Sequence, residues 1–376
     1  MKIPRFSLMD KSSHMAVLVV TLGLVTFGIV MIYSSSSIVA IERYGDEYFF
    51  LKKQLFYAVV GVLLMFVLSN VKYEDFRKVA YAGIVISIIL LVLVLIPPIG
   101  VKKGGATRWM RLGLVTFQVT EFVKIAVIVF LAHFLTKAVT HIKDFKKGIL
   151  VPLVVVAPVV GLIMLQPDFG TAVIIVIILM GMLYLAGARI MYLSMMTVPL
   201  LAGAVVMVMM KPYRLQRWLA FLDPWKDAKK TGFQIIQSWI SFGSGGPFGV
   251  GLGDGMQKLF YLPEPHTDFI LSVVAEEAGF IGVAIVIALF ILLVFQGFVI
   301  AYRAADLFGT LLAGGVTMLI ALEASINISA VVGLIPTKGL ALPFMSYGGS
   351  SLVMSLAAVG ILLSIQANRS RVRGNF

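Results

Sequence analysis

Gly282-Val-Ala-Ile-Val-Ile-Ala-Leu-Phe-Ile-Leu-Leu293 contains no charged or hydrogen-bonding side chain, and it lies inside the mostly apolar stretch 267–301. A barrel strand would alternate apolar and polar residues, whereas this segment is apolar on every face. Roughly 20 such residues cross a hydrocarbon core about 30 Å thick, and backbone groups in lipid must pair internally, so the segment reads as a membrane helix. Ile84–Leu95 and Ala172–Leu185 read the same way. Across the 376 residues 60% are hydrophobic and only 13% charged, a balance that suits lipid better than water as the surrounding solvent.

Outward from these runs, spans fall near 16–36, 54–70, 79–98, 118–136, 149–165, 169–187, 192–210, 267–301, 307–332 and 347–367. The predicted fold class is therefore all-α: a polytopic integral membrane protein with about ten transmembrane helices and a long extracytoplasmic loop, about 211–266, between the seventh and eighth. The stretch 99–117 reads as a second basic loop, and the span 267–301 is long enough to tilt strongly or to extend beyond the bilayer. No repeat or linker divides the chain, which reads as one membrane domain over residues 1–376.

Ala16–Tyr33 is too long for a signal-peptide core and lacks a clear small-residue cleavage site, so it reads as the first span. Lys2, Arg5 and Lys11 before it, and Arg369, Arg371 and Arg373 after the last span, favour cytoplasmic termini. The formal charge of +13 is scattered over both faces, a pattern that suits membrane lipids and phosphates and not nucleic acid. Absence of Cys removes disulfides, thiolate nucleophiles and thiolate metal sites.

Several polar groups stand out against this apolar background. Lys211–His266 carries Arg214, Arg217 and Lys258 with Trp218, Trp225 and Trp239, and a glycine run, Gly243–Gly255, that lacks a nucleotide fingerprint and suits a re-entrant or close-packed segment. The rings have a plain reading as interface anchors. Next, Glu264, His266 and Asp268 stand at the mouth of a span. A carboxylate there suits a general base, because partial desolvation raises its pKa while nearby cations keep it ionised; helix capping is the equally weighted alternative for Asp268. Glu276 and Glu277 read as structural groups inside the bundle. Glu121 and Lys124, at i and i+3, can pair on one helix face or line a polar cavity that meets an anionic headgroup. Asp168 reads as a turn residue or a substrate contact, and Glu323 and Asn327 as packed polar groups. Lys338, Ser346 and Ser350, ahead of the last span, suit either phosphate binding or close helix packing.

The chain resembles the SEDS family (shape, elongation, division and sporulation) along nearly its whole length. The resemblance rests on Gly104-Gly-Ala-Thr-Arg108-Trp109, Gln166-Pro-Asp-Phe-Gly-Thr171, Gly243-Ser-Gly-Gly246 through Gly251-Leu-Gly253 to Gln257-Lys258, Leu262-Pro-Glu-Pro-His-Thr-Asp-Phe269 and Ser346–Ser351. Pro336-Thr-Lys338-Gly339 is closer to the division-type than to the elongation-type members. One departure is Gln118-Val-Thr-Glu121, where the family commonly has Gln-Pro-Ser-Glu.

The resemblance implies a peptidoglycan glycosyltransferase that polymerises lipid II, a disaccharide-pentapeptide on undecaprenyl pyrophosphate, at the outer face of the bacterial cytoplasmic membrane during septal wall synthesis. It implies a class B penicillin-binding protein and other divisome proteins as partners, and it makes Asp268 the catalytic residue. Arg108, Arg214, Lys258 and Lys338 are the expected cations for the pyrophosphate, with Glu121, Lys124, Glu264, His266, Ser346 and Ser350 as further substrate-binding candidates. Mg2+ or Mn2+ is the expected cofactor, with no organic one. A lipid II flippase and a silent division scaffold are the rival readings, since intramembrane Glu121, Lys124 and Glu323 also suit a translocation route.

Overall fold

The computed structural model describes residues 5–374 except 98, 104–105, 114, 211, 229–231, 257–264 and 338. Its helices in chain order are α1 (Arg5–Tyr44), α2 (Phe49–Asn70), α3 (Phe76–Val94), α4 (Val119–Lys137), α5 (Val151–Leu165), α6 (Phe169–Leu185), α7 (Ile190–Met209), α8 (Pro212–Leu222), α9 (Phe233–Gly245), α10 (Ile270–Tyr302), α11 (Leu307–Val332) and α12 (Gly349–Gly374). Among the described residues nine helices are long and apolar enough to cross a membrane, and α6, with 17 residues, is a shorter apolar helix. At about 1.5 Å per residue α6 reaches roughly 25 Å, a little less than the hydrocarbon thickness. The chain is thus a multi-pass membrane protein.

Helices α4, α11 and α12 form the centre: α4 buries Val119 to Leu135 almost without interruption, and α11 and α12 pack beside it. Around them α2 lies along α12, α3 along α4 and α10 along α11. Small residues let the backbones approach: a Cβ placed on Gly360 of α12 would stand 2.7 Å from the Met65 carbonyl oxygen of α2. The outer faces stay apolar, as lipid requires, with Leu63 and Val67 of α2 each 60% exposed. Helix α7 is the most peripheral span, and Leu193 is its one buried residue.

Three regions differ from the sequence expectation. The stretch expected as the loop 99–117 folds into a three-stranded antiparallel sheet, β1 (Gly100–Lys103), β2 (Ala106–Leu112) and β3 (Val115–Gln118), in the order β1-β2-β3. Val101 pairs with Trp109, and Trp109 with Gln118 on the other side. The long 211–266 connection contains α8 and α9. On α8, Leu215, Trp218, Leu219 and Leu222 recur at i, i+3, i+4 and i+7 and are all exposed, the pattern of a helix lying in the membrane interface. Helix α9 is docked: Ser238 Oγ donates to the Val331 carbonyl at 2.7 Å and meets Ser272 Oγ at 2.8 Å, and Trp239 Nε1 donates to the Val332 carbonyl at 2.9 Å.

Third, α10 is not one continuous rod. Gly279 sits at φ 67° and ψ −167°, splitting it into two helical pieces. The glycine run after α9 repairs the break: Phe280 and Ile281 N–H donate to the Gly246 and Pro247 carbonyls, while Val250 and Gly251 N–H donate to those of Glu276 and Glu277. Four of the backbone groups that the kink releases are thereby paired. The two acidic side chains complete the join. Glu277 accepts from Ser34 Oγ at 2.6 and 2.7 Å and from Gly253 N–H at 3.1 Å, and Glu276 accepts from Met256 N–H at 2.7 Å.

Because successive spans reverse direction, alternate connections lie at opposite ends. The sheet, the 166–168 turn, the α7–α10 segment and the α11–α12 segment share one end. Contacts among them agree, as between Arg108 and the Pro167 carbonyl, Arg217 and the Thr337 carbonyl, and Gln118 and Ser350. Tyr73, Arg77 and Asp306 meet at the other end.

Candidate functional site

Where the first set of connections converges there is a cavity of about 340 Å³. Its wall is drawn from Ala106 and Arg108 on β2, Pro167 and Asp168 in the turn, Phe169 and Gly170 on α6, Val208 on α7, Arg214, Arg217 and Trp218 on α8, and Pro336, Thr337, Gly339 and Leu340 before α12. Each guanidinium is oriented by a fixed partner. Arg108 Nη2 donates to the Pro167 carbonyl at 2.8 Å, and its Nε lies 3.6 Å from the Asp168 carboxylate. Arg214 lies over the Phe169 ring at 5.4 Å and donates to the Met207 carbonyl at 3.0 Å. Arg217 donates to the Thr337 carbonyl at 3.3 Å.

Asp168 is the carboxylate in this wall, and it is buried, accepting from Thr171 N–H at 3.3 Å and Thr171 Oγ at 2.9 Å to cap α6. The three arginines against that one carboxylate leave the wall with a net charge of +2 among the described residues. Such planar, delocalised cations suit a bidentate anion such as phosphate.

Asp268 borders the same cavity. It is half-buried just before α10, and a Cβ placed on the wall residue Gly339 would stand 3.1 Å from its Oδ2. Its main chain is clamped by Asn327 of α11, whose Nδ2 donates to the Asp268 carbonyl at 2.9 Å and to the Leu340 carbonyl at 2.7 Å. One buried amide therefore sets the position of the carboxylate-bearing turn relative to the cavity wall.

The remaining residues singled out in the sequence lie elsewhere. Lys258, Glu264 and Lys338 fall outside the described residues. Glu121 and Lys124 do not line the cavity: the Lys124 ammonium is 2.8 Å from Glu121 and bonded to Glu323, and all three side chains are buried between α4 and α11. Ser350 Oγ accepts from Gln118 N–H at 3.0 Å and Ser346 Oγ from Leu342 N–H at 2.8 Å, so both hydroxyls brace the last connection. His266 is a packed ring between Phe50 (4.6 Å) and Tyr347 (5.5 Å). Burial, helped by Arg43, pushes its pKa down to about 4, so near pH 7 it is neutral and supplies no positive charge. Burial likewise pushes the Tyr347 phenol up to about 12.

Arg217 and Asn327 were not among the residues expected at the site. Arg217 was legible in one respect, since it follows Arg214 by three positions on an amphipathic helix and so shares its face. For Asn327 no local signal existed, because its partners are 59 and 13 residues away. Among the described residues no three His, Asp or Glu side chains converge, so they offer no ready-made cage for Mg2+ or Mn2+.

Fold and cavity together define a polytopic membrane protein with an arginine-lined cavity at one end of its helical bundle. The family of cell cycle proteins named for FtsW, RodA and SpoVE matches residues 14–371, and the chain belongs to it. A relative in Geobacter sp. (strain M18), named a probable peptidoglycan glycosyltransferase FtsW, is 45% identical over 360 residues, 96% of this chain and 97% of that one. Stage V sporulation protein E of Bacillus subtilis is 44% identical over 94% of this chain and 97% of its own length. Among solved structures, one described as the structural coordination of polymerization and crosslinking by a peptidoglycan synthase complex superposes with a TM-score of 0.76 at 30% identity, covering 94% of this chain and 97% of that one. The rod shape determining protein RodA of Thermus thermophilus gives a TM-score of 0.70 at 26% identity, covering 94% of this chain and 96% of its own.

Proposed function

We propose that this protein is a peptidoglycan glycosyltransferase that polymerises lipid II at the outer face of the cytoplasmic membrane, with Asp268 as general base. The observation that carries the reading is the placement of the Asp268 carboxylate against the Gly339 wall of a cavity bearing three oriented arginines. Deprotonating a hydroxyl and receiving a departing pyrophosphate are the two tasks that inverting transfer from a polyprenyl pyrophosphate sets. The acceptor sugar's 4-hydroxyl oxygen bonds to the donor's anomeric carbon as the bond from that carbon to the pyrophosphate oxygen breaks. The hydroxyl proton goes to Asp268, and the electron pair leaves with undecaprenyl pyrophosphate. Arg108, Arg214 and Arg217 stabilise the departing charge. Val208 brings the cavity beside α7, whose sparsely packed apolar surface offers a lipid-facing course for the polyprenyl tail.

In this reading both termini are cytoplasmic, the cavity faces outward, and the protein acts at the division septum with a class B penicillin-binding protein and other divisome components. The relatives' names and the described synthase complex support that assignment. Mg2+ or Mn2+ remains part of the proposal as an ion arriving with the pyrophosphate. The buried Glu121–Lys124–Glu323 cluster favours a flippase as the second reading.

Purified lipid II is offered to the reconstituted protein with its penicillin-binding partner and Mg2+ or Mn2+. The wild type should yield glycan chains on a gel, while Asp268→Asn and Asp268→Ala bind lipid II and yield none. Normal polymerisation by either variant would remove Asp268 from its role, and lipid II movement across vesicles without polymer would favour the flippase.

A further inference from the structure

At the end of the bundle opposite the catalytic cavity lies a second one, of about 630 Å³, between the start of α5 and the start of α7. Lys143, Lys146 and Arg189 are on its wall, all exposed, and none forms an ion pair with a carboxylate among the described residues. The acidic member of the wall, Asp144, accepts from the N–H groups of Lys146 and Lys147 at 2.8 and 3.2 Å. It opens a six-residue π-helical turn, Phe145–Leu150, that leads into α5; such turns gather at functional positions. The amides at that turn are thus already occupied, and a ligand would have to be held by the three side-chain cations.

The floor joins this charge to the membrane. The Phe145 and Tyr192 rings meet at 5.4 Å across the gap between the two helices. Just beyond them the exposed side chains turn apolar, Val151 and Val154 on α5 and Met191 and Met195 on α7. Cations above, aromatic rings at the level of the headgroups and bare aliphatic surface below form the profile of a lipid site, since a soluble anion has no use for the lower part.

We propose that this cavity binds the phosphate headgroup of an anionic glycerophospholipid, whose acyl chains run down the exposed flanks of α5 and α7. Bound there, the lipid bridges the least packed span, α7, to the rest of the bundle at the end remote from catalysis. The proposal needs only the alternation of the spans and stands apart from the role given to Asp268.

The full-length protein, delipidated in detergent, is titrated with short-chain phosphatidylglycerol and with phosphatidylcholine, and bound lipid is counted by native mass spectrometry. Phosphatidylglycerol should bind at least about tenfold more tightly, the scale expected when several cations meet one phosphate. K143Q/K146Q/R189Q should abolish that preference while keeping wild-type lipid II polymerisation in the same detergent. K52Q/K78Q/K226Q, which removes an equal charge at other exposed positions, should retain it. Equal loss in both triple variants would overturn the proposal in favour of a net-charge effect. Displacement of the lipid by millimolar inorganic phosphate or glycerol 3-phosphate would overturn it in favour of a site for a soluble anion.

Discussion

The side-chain amide of Asn327 joins the Asp268 carbonyl to that of Leu340, two segments far apart in sequence and adjacent at the cavity. Asn327→Ala would leave two part-buried acceptors without their donor, costing at most about 1–3 kcal/mol apiece, and would loosen the carboxylate against its wall. Small misplacements of reacting groups cost up to about a hundredfold in rate. Polymerisation at saturating lipid II should therefore fall by tens of fold while fluorescent lipid II binds with unchanged affinity; a fall in affinity alone would make Asn327 a simple packing residue. The Glu121–Lys124–Glu323 cluster obeys a different rule. Lys124→Met strands two carboxylates in the bundle and should cost about 3–5 kcal/mol, read as a lowered melting temperature in detergent. Adding Glu121→Gln and Glu323→Gln removes the stranded charge and should restore most of that loss. Sequence spacing was enough to pair Glu121 with Lys124, one turn apart. Glu323 lies 199 residues from Lys124, beyond the reach of any spacing rule.

Elements differed in how openly the sequence declared them. Long apolar runs announce membrane helices because lipid demands the same side chains on every face, so all ten predicted spans have a helix near them. Each strand of the sheet has only four to seven residues, glycines interrupt the segment, and Thr107-Arg-Trp-Met-Arg111 does not alternate apolar with polar residues, so nothing separated it from a loop. The break in α10 was hidden for the opposite reason: Gly279 sits in a run apolar enough to continue the helix, and the need for it lies in a loop about thirty residues earlier. A Cβ on Gly279 would run into the backbone of Phe248 and Gly249, and its φ of 67° disfavours other residues. Gly279→Ala should cost at least about 1–3 kcal/mol for backbone strain alone and reduce polymerisation. Hydrogen exchange should quicken at Val250 and Gly251, whose amides pair across the break; unchanged exchange there would mean that the loop docks without it.

For the molecule as a whole, His266 ties stability to pH. Its folded-state pKa of about 4 lies below the ordinary value of 6.5, so between these limits the unfolded chain binds more protons than the folded one. The stabilisation is complete above pH 6.5 and fades as pH falls toward 4, a difference on the order of 3 kcal/mol. Wild-type melting temperature should drop through that window, and His266→Asn should flatten the drop; parallel curves would assign the acid sensitivity to other groups. At this scale the single bundle and its alternating ends follow from hydropathy, whereas the meeting of four connections in one cavity depends on packing that no single segment encodes. That meeting also bears on biogenesis. Wall residues run from Ala106 to Leu340, so a nascent chain can have inserted α1 to α11 and still lack the Pro336–Leu340 side of the cavity. Nascent chains and fragments that stop short of Leu340 would sit in the membrane without a finished site, and competence would wait for the segment that follows α11.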